Sequence, residues 1–301
     1  MPASASSFRL LLVTYTAAIF VSAALLFAVQ PLFAKMVLPK LGGTPAVWSV
    51  AMVFFQAMLL AGYAYAHALT RFAPGRASVI IHLAVMIVAV FALPLGIAAG
   101  WGRPPVSGQE FWLLGLFAVS IGLPFFALSA NGPLLQAWFA RTGHPQAKDP
   151  YFLYAASNVG SFLALLAYPF VIEPFSRVPQ QTMGWTIGFY ALIVLIALCG
   201  VFLLRSRDAL PELATDDAPP PAWRDALTWV ALAAVPSALL IAITAHISTD
   251  VAAAPFLWVV PLALYLATFV IAFQSRPILP HRFVTMAAPV AVMMLVVSLA
   301  L

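Results

Sequence analysis

Long apolar runs separated by short groups of charged residues form the dominant pattern along this chain of 301 residues. The uncharged runs cover residues 10–34, 41–70, 77–102, 111–140, 150–172, 178–204, 226–249, 251–275 and 283–301. A helix needs about 20 residues to cross a bilayer, and the shortest run has 19. Because the runs are continuously apolar and do not alternate with polar positions, they predict helices and not barrel strands. The pattern predicts an all-α, polytopic transmembrane helix bundle of about nine spans.

Composition supports a membrane protein and removes several other classes. The chain is 64% hydrophobic and 8% charged, whereas about 25% of the residues of a soluble domain are charged. The basic residues are dispersed, so the net charge of +5 does not indicate a nucleic-acid partner. No phosphate-binding glycine loop, zinc-protease motif or cysteine pair is present. We therefore predict no catalytic residue, metal site or cofactor within these residues, and the sequence leaves open whether the protein is an enzyme.

The distribution of basic residues predicts the orientation in the membrane. The first apolar run is longer than the core of a signal peptide and lacks a small-residue cleavage site, so we interpret it as an uncleaved span. With nine spans, ten of the 14 basic residues fall on the same side as the N-terminus. Basic loops stay in the cytoplasm. The count therefore predicts a cytoplasmic N-terminus.

A hydrophilic segment divides the chain into two parts. Residues 205–225 contain a proline run and mixed charges and predict a cytoplasmic linker. Residues 1–204 then form a first transmembrane half of six helices, and residues 226–301 form three helices of a second half. A break after six spans is typical of transporters built from two related halves.

An internal similarity supports this division. "SAALLFAVQ" from Ser22 resembles "SALLIAIT" from Ser237, and "PAVW" from Pro45 resembles "PFLW" from Pro255, at offsets of 215 and 210 residues. The predicted architecture is a 6+3 arrangement like the major facilitator superfamily (MFS-like), with an incomplete second half. On this basis we expect the polypeptide to continue beyond Leu301 with further helices.

Uncharged polar side chains inside the spans are the first candidates for a site. Gln30, Gln56, Asn131 and Asn158 lie within predicted spans, where a polar group is costly unless it is satisfied. Glycine and proline accompany the two asparagines. One interpretation is helix packing through small and polar residues. The other is a substrate or ion path at the membrane midplane, where interrupted helices present backbone groups to a ligand.

Three further candidates lie near the ends of the spans. Asp250 is the only charged residue between the seventh and eighth runs, and His246 precedes it by four positions. Asp250 could cap the following helix. Alternatively, the offset of 215 matches it with Lys35, so the two charges could form an ion pair that gates the non-cytoplasmic mouth, with His246 tuning the carboxylate.

Three stretches resemble a known family. "QPLFAKMVLPKLGGTPAVWSVAMVFFQAMLLAGYAYAH", "DPYFLYAASNVGSFLALLAYPFVIEP" and "HISTDVAAAPFLWVVPLALYLATFVIAF" are similar to the membrane region of bacterial proteins that fuse an MFS-like transporter region to a spermidine synthase-like domain. The resemblance implies a multi-pass protein of the bacterial plasma (inner) membrane. In that family a soluble aminopropyltransferase-like domain follows the membrane region, and its glycine-rich loop and acidic catalytic residue are not among these residues.

The resemblance implies two roles for the membrane region. It would anchor a fused or associated aminopropyltransferase-like domain in the lipid bilayer, or it would move that domain's polyamine-like substrate or product. The alternative is an independent MFS-like transporter of small molecules with no enzymatic role. A polyamine path calls for carboxylates or aromatic faces inside the spans, and the spans contain aromatic residues but no acidic residue.

Overall fold

The structure is a computed structural model that describes residues 5–41, 45–148, 150–206, 222–247, 249, 259–272 and 280–300. These residues form helices and no strands. The helices are α1 (Ala5–Leu41), α2 (Pro45–Phe72), α3 (Gly75–Ala89), α4 (Gln109–Phe117), α5 (Leu123–Ala140), α6 (Tyr151–Ala167), α7 (Glu173–Phe175), α8 (Val178–Arg205), α9 (Trp223–His246), α10 (Val259–Ala272) and α11 (His281–Ala300). The prediction of an all-helical protein is confirmed for this part of the chain.

Seven helical segments are long and apolar enough to cross a membrane, and they coincide with the first seven predicted spans. They are Ser6–Lys40, Val47–Phe72, Gly75–Ala92, Gln109–Ala140, Phe152–Phe175, Val178–Arg205 and Trp223–His246. The eighth and ninth runs coincide with α10 and α11, whose apolar described parts, Val259–Thr268 and Arg282–Met294, are shorter. The structure therefore supports a multi-pass membrane protein. The total of nine spans and the 6+3 layout stay predictions. Most of the predicted linker, residues 207–221, lies outside the described residues.

In two spans, the helix continues through a wider turn of the π type. Ala118–Gly122 joins α4 to α5, and Tyr168–Ile172 joins α6 to α7. Helix α5 continues through Asn131, Gly132 and Pro133, so the interruption that these residues suggested is not observed there. Pro133 lacks a backbone N–H and therefore removes one hydrogen bond from α5. The two π turns also depart from the regular helical hydrogen-bond pattern, and turns of this type are frequent at functional sites.

Helix α1 is the centre of the bundle and packs against α5, α6 and α8. The hydroxyl of Tyr15 on α1 donates to the carbonyl of Cys199 on α8 at 3.0 Å, and the indole of Trp185 donates back to the carbonyl of Leu25 at 2.9 Å. Cys199 is fully buried, as expected for a small packed residue. These bonds fix α8 to α1 at two depths.

Helices α1 and α6 approach each other closely at Gly160. A Cβ built on Gly160 would lie 2.5 Å from the backbone oxygen of Phe20. Small residues allow membrane helices to touch along their backbones, which replaces the missing hydrophobic driving force with dispersion contacts. Glycine at this position therefore sets the spacing of the two helices.

The outer surface of the bundle is apolar. Phe91 is 87% exposed, Phe170 71% and Leu60 70%. Exposure of these side chains to water would be unfavourable, whereas lipid tails solvate them. The surface therefore fits contact with a lipid bilayer.

Candidate functional site

A cavity of about 430 Å³ lies within the bundle. Helices α1, α2, α5 and α6 line it together with α9 and α10. The polar lining residues are Ser22, Gln30, Gln56, Tyr63, Ser129, Tyr154, Ser157, Asn158, Ser161, Ser237, Thr244 and Tyr265. The volume falls in the range of about 300–1,000 Å³ found for small-molecule sites.

Three of the predicted candidates meet in this cavity. Gln30 lines it from α1, Gln56 from α2 and Asn158 from α6. The amide nitrogen of Gln30 donates to the carbonyl of Leu26 at 3.4 Å. The carboxamides of Gln56 and Asn158 make no hydrogen bond to another described residue. Each therefore keeps two donors and one acceptor oxygen for another molecule.

The hydroxyl groups of the lining are mostly turned toward their own helices. Ser161 donates to the carbonyl of Ser157 at 2.9 Å, Ser237 to Ala233 at 2.9 Å and Thr244 to Leu240 at 2.7 Å. A hydroxyl that has donated its proton to the helix still has lone pairs. These side chains present acceptors to the cavity and no strong donor.

Asn131 is placed behind the cavity wall and does not line it. It is fully buried, and its nitrogen donates to Ser22 Oγ at 2.9 Å. Its oxygen lies 2.7 Å from Nε2 of His82, which is also fully buried. Since the carboxamide nitrogen points to Ser22, the oxygen accepts from His82, which assigns the imidazole proton to Nε2. The group connects α1, α3 and α5, and its role in the described structure is to join helices.

His82 was not among the predicted candidates. Its Nδ1 and the hydroxyl of Tyr65 are buried without a hydrogen-bond partner in the described part of the chain. The two rings lie 6.0 Å apart between centroids. Scattered histidines carry no spacing signal in the sequence, so only its position inside an apolar run could have marked it.

Lys35 forms an ion pair with Glu173, 138 positions later in the chain. Both side chains are half-buried, with exposures of 29% and 21%. The second oxygen of Glu173 accepts from Gln181 at 3.2 Å, and Gln181 accepts from the hydroxyl of Tyr168 at 2.9 Å. The pair ties the end of α1 to α7 and α8, and the sequence analysis did not name Glu173.

Of the remaining two candidates, Asp250 and His246, the structure describes only His246. Asp250 lies outside the described residues, so its pairing with Lys35 stays a prediction. His246 is the exposed last residue of α9, two positions after Thr244, which lines the cavity.

The described residues that line the cavity are uncharged. None of the described lining residues is an aspartate, glutamate, lysine, arginine or histidine, and the described residues hold no group of three or more potential metal ligands. Carboxamides, hydroxyls and the rings of Phe27, Phe55 and Phe125 can bind and orient a molecule, but none of them is a strong acid or base at neutral pH. The described lining residues are therefore suited to binding a small molecule.

Comparison with known proteins adds no family assignment: no family model matches the chain, and neither the curated proteins nor the solved structures gave a match.

Proposed function

We propose that this chain is a membrane-spanning domain that binds a small molecule between two related halves, in the manner of a transporter. The observation that carries the proposal is that helices from both sides of the linker line one cavity. Helices α1 and α2 precede the linker, α9 and α10 follow it, and all four line the same cavity.

Positions related by the internal offset lie on this cavity from both sides. Ser22 and Ser237, which are 215 positions apart, both line it. Three more pairs at the offset of 210 do so, although none of them belongs to the stretch that suggested this offset. The pairs are Met52 and Leu262, Phe55 and Tyr265, and Gln56 and Leu266. Helices related by a repeat turn equivalent faces toward the axis between the halves, where transporters hold their substrate.

The cavity favours the transporter role over a purely anchoring role. An anchor needs only lipid-facing spans and gains nothing from carboxamides that line a cavity without a hydrogen-bond partner among the described residues, because polar groups inside a membrane are costly unless they are satisfied. A polyamine-like ligand, and a fused or associated aminopropyltransferase-like domain as partner, are implied by the sequence resemblance alone and are not part of this proposal. No described contact favours either of them.

A thiol-labelling experiment tests the proposal without knowledge of the ligand. Ser157 lines the cavity, whereas Val159, two positions later on α6, is 45% exposed and is not a lining residue. In a Cys199→Ala background in native vesicles, we expect a membrane-impermeant thiol reagent to modify Ser157→Cys and to leave Val159→Cys unmodified. An unreactive cysteine at position 157 from both sides of the membrane would contradict a hydrated cavity.

The proposal places the N-terminus in the cytoplasm of a bacterial cell, with the protein in the inner membrane. The distribution of basic residues supports this orientation. The Lys35–Glu173 contact is compatible with it, since both residues are predicted on the side opposite the N-terminus. Single cysteines at Ser107, which is exposed, and at Ala214 in the linker test it. We expect external labelling at position 107 only, and external labelling at position 214 would reverse the orientation.

A further inference from the structure

We propose that the cavity binds an uncharged, planar molecule that carries adjacent hydrogen-bond donors and acceptors, such as a carboxamide or a nucleobase. This inference rests on the proposed function and names the chemical class of its ligand. Three properties of the described lining lead to it: its charge, its free polar groups and its aromatic faces.

The charge of the lining disfavours a polyamine. The described lining residues include no carboxylate. Glu173, the first residue of α7, is not among the described lining residues, and its oxygens already accept from Lys35 and Gln181. Bringing an ammonium group into this space would remove its hydration without a counter-ion from any described lining residue, which is unfavourable in a low-dielectric interior.

The free polar groups match a ligand that both donates and accepts. Gln56 and Asn158 reach the cavity from different helices, and neither carboxamide is bonded to another described residue. A carboxamide presents a donor and an acceptor in one plane, so it pairs with an adjacent acceptor and donor on a flat partner. The same two-point pairing allows asparagine and glutamine to read adenine.

Aromatic side chains line the cavity together with these carboxamides. Phe55 precedes Gln56 and packs against Phe125, with ring centroids 5.0 Å apart. Tyr63 lies nearly two turns further along the same helix and also lines the cavity. Rings of this kind stack on planar molecules and gain little from a flexible aliphatic chain.

Binding to the protein in lipid nanodiscs tests the ligand class. The probes are radiolabelled adenine, nicotinamide and spermidine, and the variants are Gln56→Leu and Asn158→Leu. The matched control is Gln136→Leu, because Gln136 is a carboxamide on α5 that does not line the cavity. If a leucine variant does not elute as a folded monodisperse species, Gln56→Ser or Asn158→Ser replaces it.

We expect saturable binding of adenine or nicotinamide and none of spermidine. Loss of two-point pairing should weaken binding about tenfold in each cavity variant, while Gln136→Leu binds like the parent. Three results would overturn the ligand class: binding of spermidine but of neither planar probe, binding of no probe, or binding that all three variants leave unchanged. In each case, labelling at position 157 still decides whether the hydrated cavity of the proposed function exists, so the two failures are distinguishable.

Discussion

Replacing Asn131 and Asn158 in turn should separate a structural carboxamide from a ligand-binding one. Asn131→Leu removes the hydrogen bonds to His82 and Ser22 in a fully buried place. Hydrogen bonds between membrane helices contribute about 0.6 kcal/mol on average and up to about 1.7 kcal/mol. The variant also leaves the Nε2–H of His82 buried without an acceptor, at a cost of about 1–3 kcal/mol. We therefore expect the free energy of unfolding to fall by about 2–4 kcal/mol.

Asn158→Leu is the matched control, since it makes the same chemical change on the next span. Its carboxamide has no hydrogen bond to lose within the described structure, so we expect a change within about 0.5 kcal/mol. The assay is unfolding by SDS in mixed micelles, monitored by the helical circular dichroism signal. The free energies of unfolding are compared between variants whose dependence on SDS has the same slope. Equal destabilisation by the two variants, or none by Asn131→Leu, would refute the assignment of roles.

Two further predictions concern contacts between helices. Lys35→Ala and Glu173→Ala should show a coupling of about 1 kcal/mol in a double-mutant cycle, because the pair is half-buried; a coupling of zero would make the contact energetically irrelevant. Gly160→Ala places a Cβ 2.5 Å from the oxygen of Phe20, and overpacking of this kind should cost about 1–3 kcal/mol. Gly184→Ala, where nothing lies within 4 Å, should be neutral or slightly stabilising in the same SDS titration, and equal effects at both glycines would contradict the close approach.

The helical spans were predictable because charge and apolar length report directly on the bilayer. The first seven apolar runs became seven helices of spanning length, since no charged residue interrupts them and the backbone must satisfy itself within lipid. The wide turns at Ala118–Gly122 and Tyr168–Ile172 carry no such signal. Their positions do not follow from charge or apolar length, since both turns lie inside uncharged runs.

The site was predictable only in part. Gln30, Gln56 and Asn158 were found because a carboxamide inside a span must turn away from lipid. The same reasoning selected Asn131, and sequence cannot distinguish a carboxamide that faces a cavity from one that faces a histidine on another helix.

The partner of Lys35 was not predictable. The repeat suggested Asp250, whereas the described partner, Glu173, is brought close by the packing of α1 against the end of the α6 span. The position of Tyr265 on the cavity could have been predicted from the sequence, because the offset of 210 matches it with Phe55, which also lines the cavity.

The backbone contact at Gly160 has a mechanical consequence for movements within the bundle. Two helices that touch along their backbones cannot shear past each other without first moving apart, because packed interiors deform in discrete steps. Tyr15 and Trp185 clamp α8 to α1 in addition. Helices α1, α6 and α8 therefore behave as one stiff block. Under the proposed function, we therefore expect a ligand to enter or leave the cavity by displacement of α9 and α10 against this block.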